Sequence, residues 1–106
     1  MSLAVHIELT TEAPWASSWV EYYAVITNTG TEHQEPFEAE HKFFRSDGSE
    51  LSRGGIGRSS GLGPGEQFTT ERLNVLPLEA GEHKLLVEAW VDGNVAATGE
   101  HTFTVQ

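Results

Sequence analysis

Apolar and polar residues alternate one for one along most of this chain, the period of an extended strand whose successive side chains point to opposite faces. Val5, Ile7 and Leu9 alternate with His6, Glu8 and Thr10. In "WVEYYAVITNTG", Val20, Tyr22, Ala24 and Ile26 share one face, and Glu21, Tyr23, Val25 and Thr27 the other. "EPFEAEHKFF" sets Phe37, Ala39, His41 and Phe43 against Glu38, Glu40, Lys42 and Phe44. Phe37, His41 and Phe44 also fit helical spacing behind Pro36, but strand neighbours and the closing turn "SDGS" favour a strand.

The clearest alternation is "EHKLLVEAWVD". His83, Leu85, Val87, Ala89 and Val91 face inward there, with Glu82, Lys84, Leu86, Glu88 and Trp90 outward. "DGN" supplies residues that tolerate the positive φ of a tight hairpin. The last strand places Gly99, His101, Phe103 and Val105 inward. "EQFTTERLNV" is irregular, because Phe68 and Leu73 share a face only across a bulge. With Phe68 inward in unbroken register, Arg72 follows it and must sit near a sheet rim. "SRGGIGRSSGLGPGEQ" reads as a mobile, arginine-bearing connection through Gly61, followed by a structural turn at Leu62–Glu66. Short strands punctuated by turns, with no long helical pattern, predict an all-β, immunoglobulin-like antiparallel β-sandwich of about seven strands. With no internal repeat or composition break, residues 1–106 are expected to form one domain.

Three stretches carry a family resemblance: "YYAVITNTGTE" (22–32), "GLGPGEQFTT" (61–70) and "LEAGEHKLLVEAWVDGN" (78–94). They resemble the bacterial CARDB-type immunoglobulin-like domains of cell-surface proteins, in which an "NxG" turn closes one strand and an "L-x-P-G-E" turn opens another. The intracellular proteinase inhibitor family, also a sandwich, is similar at this level. The resemblance implies a scaffold and no particular chemistry. Asn28 is expected to hydrogen-bond its own turn, with Gly30 supplying positive φ. Pro64 and Gly65 suit a type II turn. His83 stands where related sandwiches have an inward ring whose polar tip bonds backbone.

Charge narrows the partners. Sixteen acids against six bases leave a formal charge of −10, which repels nucleic acid and anionic membranes. No run approaches a membrane span, so no membrane insertion is expected. There is no cysteine, hence no disulfide framework, thiolate metal site or thiol catalysis. The opening "MSLAVHIELTT" lacks a basic start and an apolar run, so it does not read as a signal peptide. Compartment stays open: extracellular or cell surface for a domain of a larger protein, cytoplasmic for a complete reading frame.

The chemistry-bearing residues form no recognisable catalytic pattern. His6, His33, His41, His83 and His101 lack metal-ligand spacing, although His41, His83 and His101 all fall on inward faces. Ser59 and Ser60 have no neighbouring acid or histidine, and Glu38 and Glu40 fall on an outward face. Gly55, Gly57 and Gly61 depart from the dinucleotide spacing, and no lysine marks a phosphate loop. No catalytic residue, metal or cofactor is therefore expected, and the protein reads as a non-enzyme.

Candidate contact residues remain. Phe44, Leu86 and Trp90 fall on one outward sheet face, which suits protein binding or self-association. Leu51–Gly65 contains no acid and carries Arg53 and Arg58, a +2 segment on a remainder of −12. Trp15 and Trp19, four apart, either close one end of the sandwich or stack on sugar. The function expected is a non-catalytic binding, adhesion or spacer module of a bacterial surface or exported protein. The alternative is a small inhibitor or regulator that presents a loop to a partner protein.

Overall fold

A computed structural model describes residues 2–106 as eight strands and no helix. They are β1 (Leu3–Leu9), β2 (Val20–Asn28), β3 (Phe37–Phe44), β4 (Glu50–Ser59), β5 (Gln67–Thr69), β6 (Leu73–Val75), β7 (Gly81–Val91) and β8 (Asn94–Val105). All pairings are antiparallel. One sheet runs β1-β2-β5, with β6 also on β2; the other runs β4-β3-β7-β8. The two sheets form an immunoglobulin-like sandwich of 43 × 25 × 17 Å.

Alternation delivers the core as the sequence predicts. Val20, Tyr22, Ala24 and Ile26 of β2 are fully buried and meet Phe43, Leu85, Val87 and Ala89 from the opposite sheet. Such side chains are each worth about 1.5–3 kcal/mol when removed from water. His83 is buried against Phe43 and Phe103, with ring centroids 5.3 and 6.3 Å away and those two rings 6.0 Å from each other, and its Nδ1–H donates to the Gly81 carbonyl at 3.0 Å. β1 lies against β8 so closely that a Cβ at Gly99 would stand 2.5 Å from the Val5 carbonyl oxygen. Asp92 and Gly93 both take positive φ in the two-residue turn between β7 and β8.

Two expectations need correction, and one that was conditional on a bulge resolves in its bulged form. The glycine stretch is not a mobile connection: residues 50–59 form β4, paired with β3 along its length. Its glycines answer local geometry. A Cβ on Gly54 would lie 3.1 Å from His41 Nε2, and Gly57 has φ +145°. Leu51 and Ile56 are left out of the pairing as bulges. Phe68 and Leu73 do both face inward, because the chain bulges between β5 and β6. Tyr22 and Val25 are three positions apart, while their partners Leu73 and Thr69 are four apart. Thr70 turns into the core, and Arg72 swings out to Glu21 at 3.3 Å. The other correction is at Gly30, which has no positive φ; the Asn28 side chain accepts its N–H at 3.0 Å instead.

The chain enters and leaves at opposite poles. Ser2 bonds Thr29 beside the end of β2, whereas Gln106 exchanges backbone hydrogen bonds with Pro14 and Ala16 beyond the end of β1. At the entry pole, Gly63–Glu66 form the expected turn, closed by Glu66 N–H to Gly63 O at 3.0 Å. At the exit pole, Ser17 N–H donates to Pro77 O at 2.7 Å and joins the β1–β2 and β6–β7 connections.

Candidate functional site

Phe44, Leu86 and Trp90 do lie on the outer face of the β4-β3-β7-β8 sheet, but charge separates them. Trp90 stands opposite Glu38 and Val95; Leu86 stands opposite Lys42 and Glu100. Between them Glu88, buried, receives Lys42 Nζ at 3.0 Å. A paired charge at that depth gives little net stability, because desolvation offsets much of the attraction. Phe44 sits under Lys84, whose Nζ is 5.0 Å from the ring centroid, a cation–π contact. All three apolar side chains are half-buried, so no continuous apolar patch results. Trp90 instead lines a cleft of about 310 Å³ with Pro36, Glu38, Glu40, Arg58 and Asp92. Its indole N–H is buried without a partner.

The two arginines form no free basic tip. Arg53 grips Glu50 through two bonds of 2.8 Å, which hold the Glu50 carboxyl below its ordinary range. Arg58 reaches Glu38 at 3.4 Å across the β3–β4 pair. Each positive charge is matched by a carboxylate that the linear sequence places outside the acid-free segment. Arg45 donates to Ser49 and to the Glu50 carbonyl.

Exposed apolar surface gathers elsewhere. Among the described residues, the exposed large apolar side chains are Trp15 (58%), Trp19 (63%), Leu78 (58%) and Val95 (43%). The first three belong to the two connections joined at the exit pole. Trp15 and Trp19 therefore do not plug the end of the sandwich; Pro14 and Pro77 are buried there instead. Trp19 and Leu78 flank a groove of about 410 Å³, walled by Leu51 of β4 and by Val75 and Leu76, with His41 lining it.

Topology explains the groove. β5 and β6 share one side of β2, so the first sheet is three ranks wide and the second is four. β1 covers β8, and Phe68 of β5 meets Phe37 of β3 edge-on at 6.0 Å. β4 is the surplus rank. Near β5 it is capped by Phe68, 3.9 Å from where a Cβ of Gly57 would be. Near β6 nothing among the described residues fills the space, and the seam stays open. The sequence marks Trp19 and Arg53 of this lining as candidates but not the groove they share, because the signal is spread: three residues of β4, a run from β6 into the connection after it and a tryptophan before β2.

The groove's one titratable core neighbour is His41. Its Nδ1 is hydrogen-bonded to the hydroxyl of Tyr22, itself wholly buried. A buried hydroxyl needs an acceptor and this one has no other, so Tyr22 donates and the His41 proton resides on Nε2. Burial raises the Tyr22 pKa well above its ordinary value and lowers that of His41, so both are neutral near pH 7. His41, His83 and His101 point inward without converging: His83 packs against Phe43 and Phe103, and His101 packs 6.4 Å from Phe103. Among the described residues no three His, Asp or Glu side chains come together to hold a metal ion. Buried Ser59 donates no proton to a base; its hydroxyl accepts from Gly61 N–H at 3.1 Å.

No family model matches this sequence, and no curated protein sequence does either. Solved structures share its fold. The CARDB domain of a Pyrococcus furiosus protein, solved in complex with di-metal ions, is 17% identical with a TM-score of 0.62, covering 99% of this chain and 86% of that one. A β-glucuronidase from Bacteroides uniformis is 14% identical with a TM-score of 0.69; 95% of this chain matches 13% of the enzyme. An alkylpurine DNA glycosylase from Pseudomonas fluorescens, bound to DNA containing an abasic site analog, is 15% identical with a TM-score of 0.65 and is matched over 30% of its length. The fold is thus that of a CARDB domain, and this chain spans only a small part of the two enzymes.

Proposed function

We propose that this chain is a non-catalytic protein-binding module of a larger bacterial surface or exported protein, and that it contacts its partner at the exit-pole seam. The observation that carries this reading is the pair Trp19 and Leu78, each more than half exposed, flanking an open groove, with Trp15 exposed in the same connection as Trp19. Contiguous exposed apolar residues on a soluble domain mark contact surfaces, and tryptophan is enriched among the side chains that anchor them. Support also comes from the CARDB-like fold and from its recurrence as a minor part of larger proteins.

The glycine stretch is a paired strand, so it is not a loop that a small regulator could present, and the module reading is the one carried forward. Adhesion and spacing are specific uses of the same module. Photo-crosslinking in producing cells tests the contact surface. A crosslinkable residue at position 78 is expected to give a discrete adduct, while one at Thr98, on the outer sheet face, gives none. Equal adducts from both positions, or none from 78, would overturn the assignment to the seam.

A further inference from the structure

The seam lies between two unpaired strand edges, and its depth is that of one missing rank. β6 pairs only with β2, and β4 only with β3. The edge of β4 is kinked by bulges at Leu51 and Ile56, which blunts it against further pairing. The edge of β6 has neither bulge nor proline within Leu73–Val75. A strand laid along β6 would continue the first sheet beneath β4, and every second side chain would enter the groove beside Leu51, Leu76 and Leu78.

Charge chooses among occupants. Arg53 beside the groove is neutralised by Glu50, and Arg72 near its mouth by Glu21, whose backbone pairs with Asn74 of β6. Among the described residues both cations have carboxylate partners and neither is left to receive an acidic occupant, and the whole chain carries −10. A second copy would bring an equal negative charge against the first. Resting on the reading of the seam as the contact surface, we propose that its occupant is an extended segment of a different protein. That segment adds to the β6 edge, turns aliphatic side chains into the groove and presents lysine or arginine outward. Backbone pairing supplies the affinity common to any strand; the apolar groove selects aliphatic side chains, and the chain's net charge of −10 favours basic ones on the outward side.

A capped octapeptide alternating valine and lysine is the probe, titrated into the isotope-labelled protein and followed by amide shifts and hydrogen exchange. Saturable shifts at Leu51, Asn74, Leu76 and the Trp19 indole are expected, with slowed exchange in Leu73–Val75. A valine–glutamate octapeptide should bind about tenfold more weakly or worse, as should Leu78→Glu, an exposed substitution that leaves the core intact. Absence of seam shifts overturns the proposal. So does equal binding of a serine–lysine octapeptide, which would reduce the effect to charge. Concentration-dependent shifts at the same residues in the free protein would assign the seam to a second copy, and shifts with a neutral oligosaccharide alone would assign it to sugar; either result overturns it. A crosslink from position 78 without peptide binding sinks only this choice of occupant, whereas loss of that crosslink sinks the contact surface itself.

Discussion

The entry and exit poles of this sandwich are both made of connections between strands, yet they are held by different means. At the entry pole one buried side chain organises the loops. Asn28 Nδ2 donates to Glu32 O at 2.8 Å and Leu62 O at 3.0 Å, while its Oδ1 accepts from Gly30 N–H. Its backbone completes the set, donating to Glu66 O and accepting from Gly65 N–H at 2.8 Å. At the exit pole the loops are tied to one another through main chain, by Ser17 to Pro77 and by Gln106 to Pro14 and Ala16, and the Thr10 and Thr11 hydroxyls add bonds to the Glu21 main chain, while their largest side chains face water. The first pole is a closed polar network that fixes structure. The second leaves side-chain surface unspent by folding, and such surface is available for a partner.

Removing Asn28 should break this contrast most severely. Asn28→Ala removes one of two donors from the buried Leu62 carbonyl, which keeps Gln34 N–H, and takes the Asn28 partner from Glu32 O and Gly30 N–H at once. The expected loss is about 2–4 kcal/mol, from hydrogen bonds of about 1 kcal/mol each plus the desolvation cost of groups left unpaired. Urea unfolding measures it. A loss below about 1 kcal/mol would mean that the Pro64–Gly65 turn holds the pole without the asparagine. The cross-seam pair comes next. Tyr22→Phe keeps the ring and removes the donor to His41, so a loss of about 0.5–1.5 kcal/mol is expected. Comparable losses from Tyr22→Phe and from the double variant with His41→Gln would identify the hydroxyl–imidazole bond as the common cause.

The same pair gives a pH dependence of known sign. Burial lowers the His41 pKa in the folded chain, so the unfolded chain binds that proton more readily. The stabilisation is fully present above the unfolded value of about 6.5 and is lost as pH falls below it toward the lower folded value. Urea midpoints between pH 5 and 8 should therefore fall on the acid side in the natural protein and fall less in His41→Gln. An identical pH profile in both would show that His41 does not carry the acid sensitivity, leaving the seam pair pH-neutral.

Legibility in the sequence follows the same division. Strict alternation announces the inward faces of β2, β3 and β7, because a half-buried strand admits no other order. Pro64–Gly65 and Asp92–Gly93 announce their turns, since each supplies backbone angles the turn requires. β4 was hidden because glycine is depleted in strands, and here Gly54 and Gly57 are selected by a neighbouring imidazole and a positive φ. The bulge between β5 and β6 left an irregular pattern that specifies no register until Thr70 is seen bonded to Ala24 through both main chain and hydroxyl. The outer-face aromatics were placed on the correct side, but the Lys42–Glu88 pair that divides them depends on cross-strand register. The groove was invisible because it arises from unequal sheet widths, a property of topology and of no single segment.

The smallest expected effect tests the exit pole itself. If Trp19 and Leu78 hold surface for a partner, the isolated protein should not depend on them. Trp19→Ser and Leu78→Ser, alone or together, are then expected to change unfolding free energy by no more than about 0.5 kcal/mol, as for surface positions outside any structural feature. The natural residues' exposures of 63% and 58% give the reason: little area was removed from water on folding, so little is forfeited by truncation. The matched control is Val75→Ala in the neighbouring strand, buried to 3% exposure, for which a loss of about 1–3 kcal/mol is expected from lost burial and a residual cavity. A loss above about 1.5 kcal/mol for Trp19→Ser would place it with Val75, as a lid over the core, and the two poles would then differ in chemistry but not in purpose.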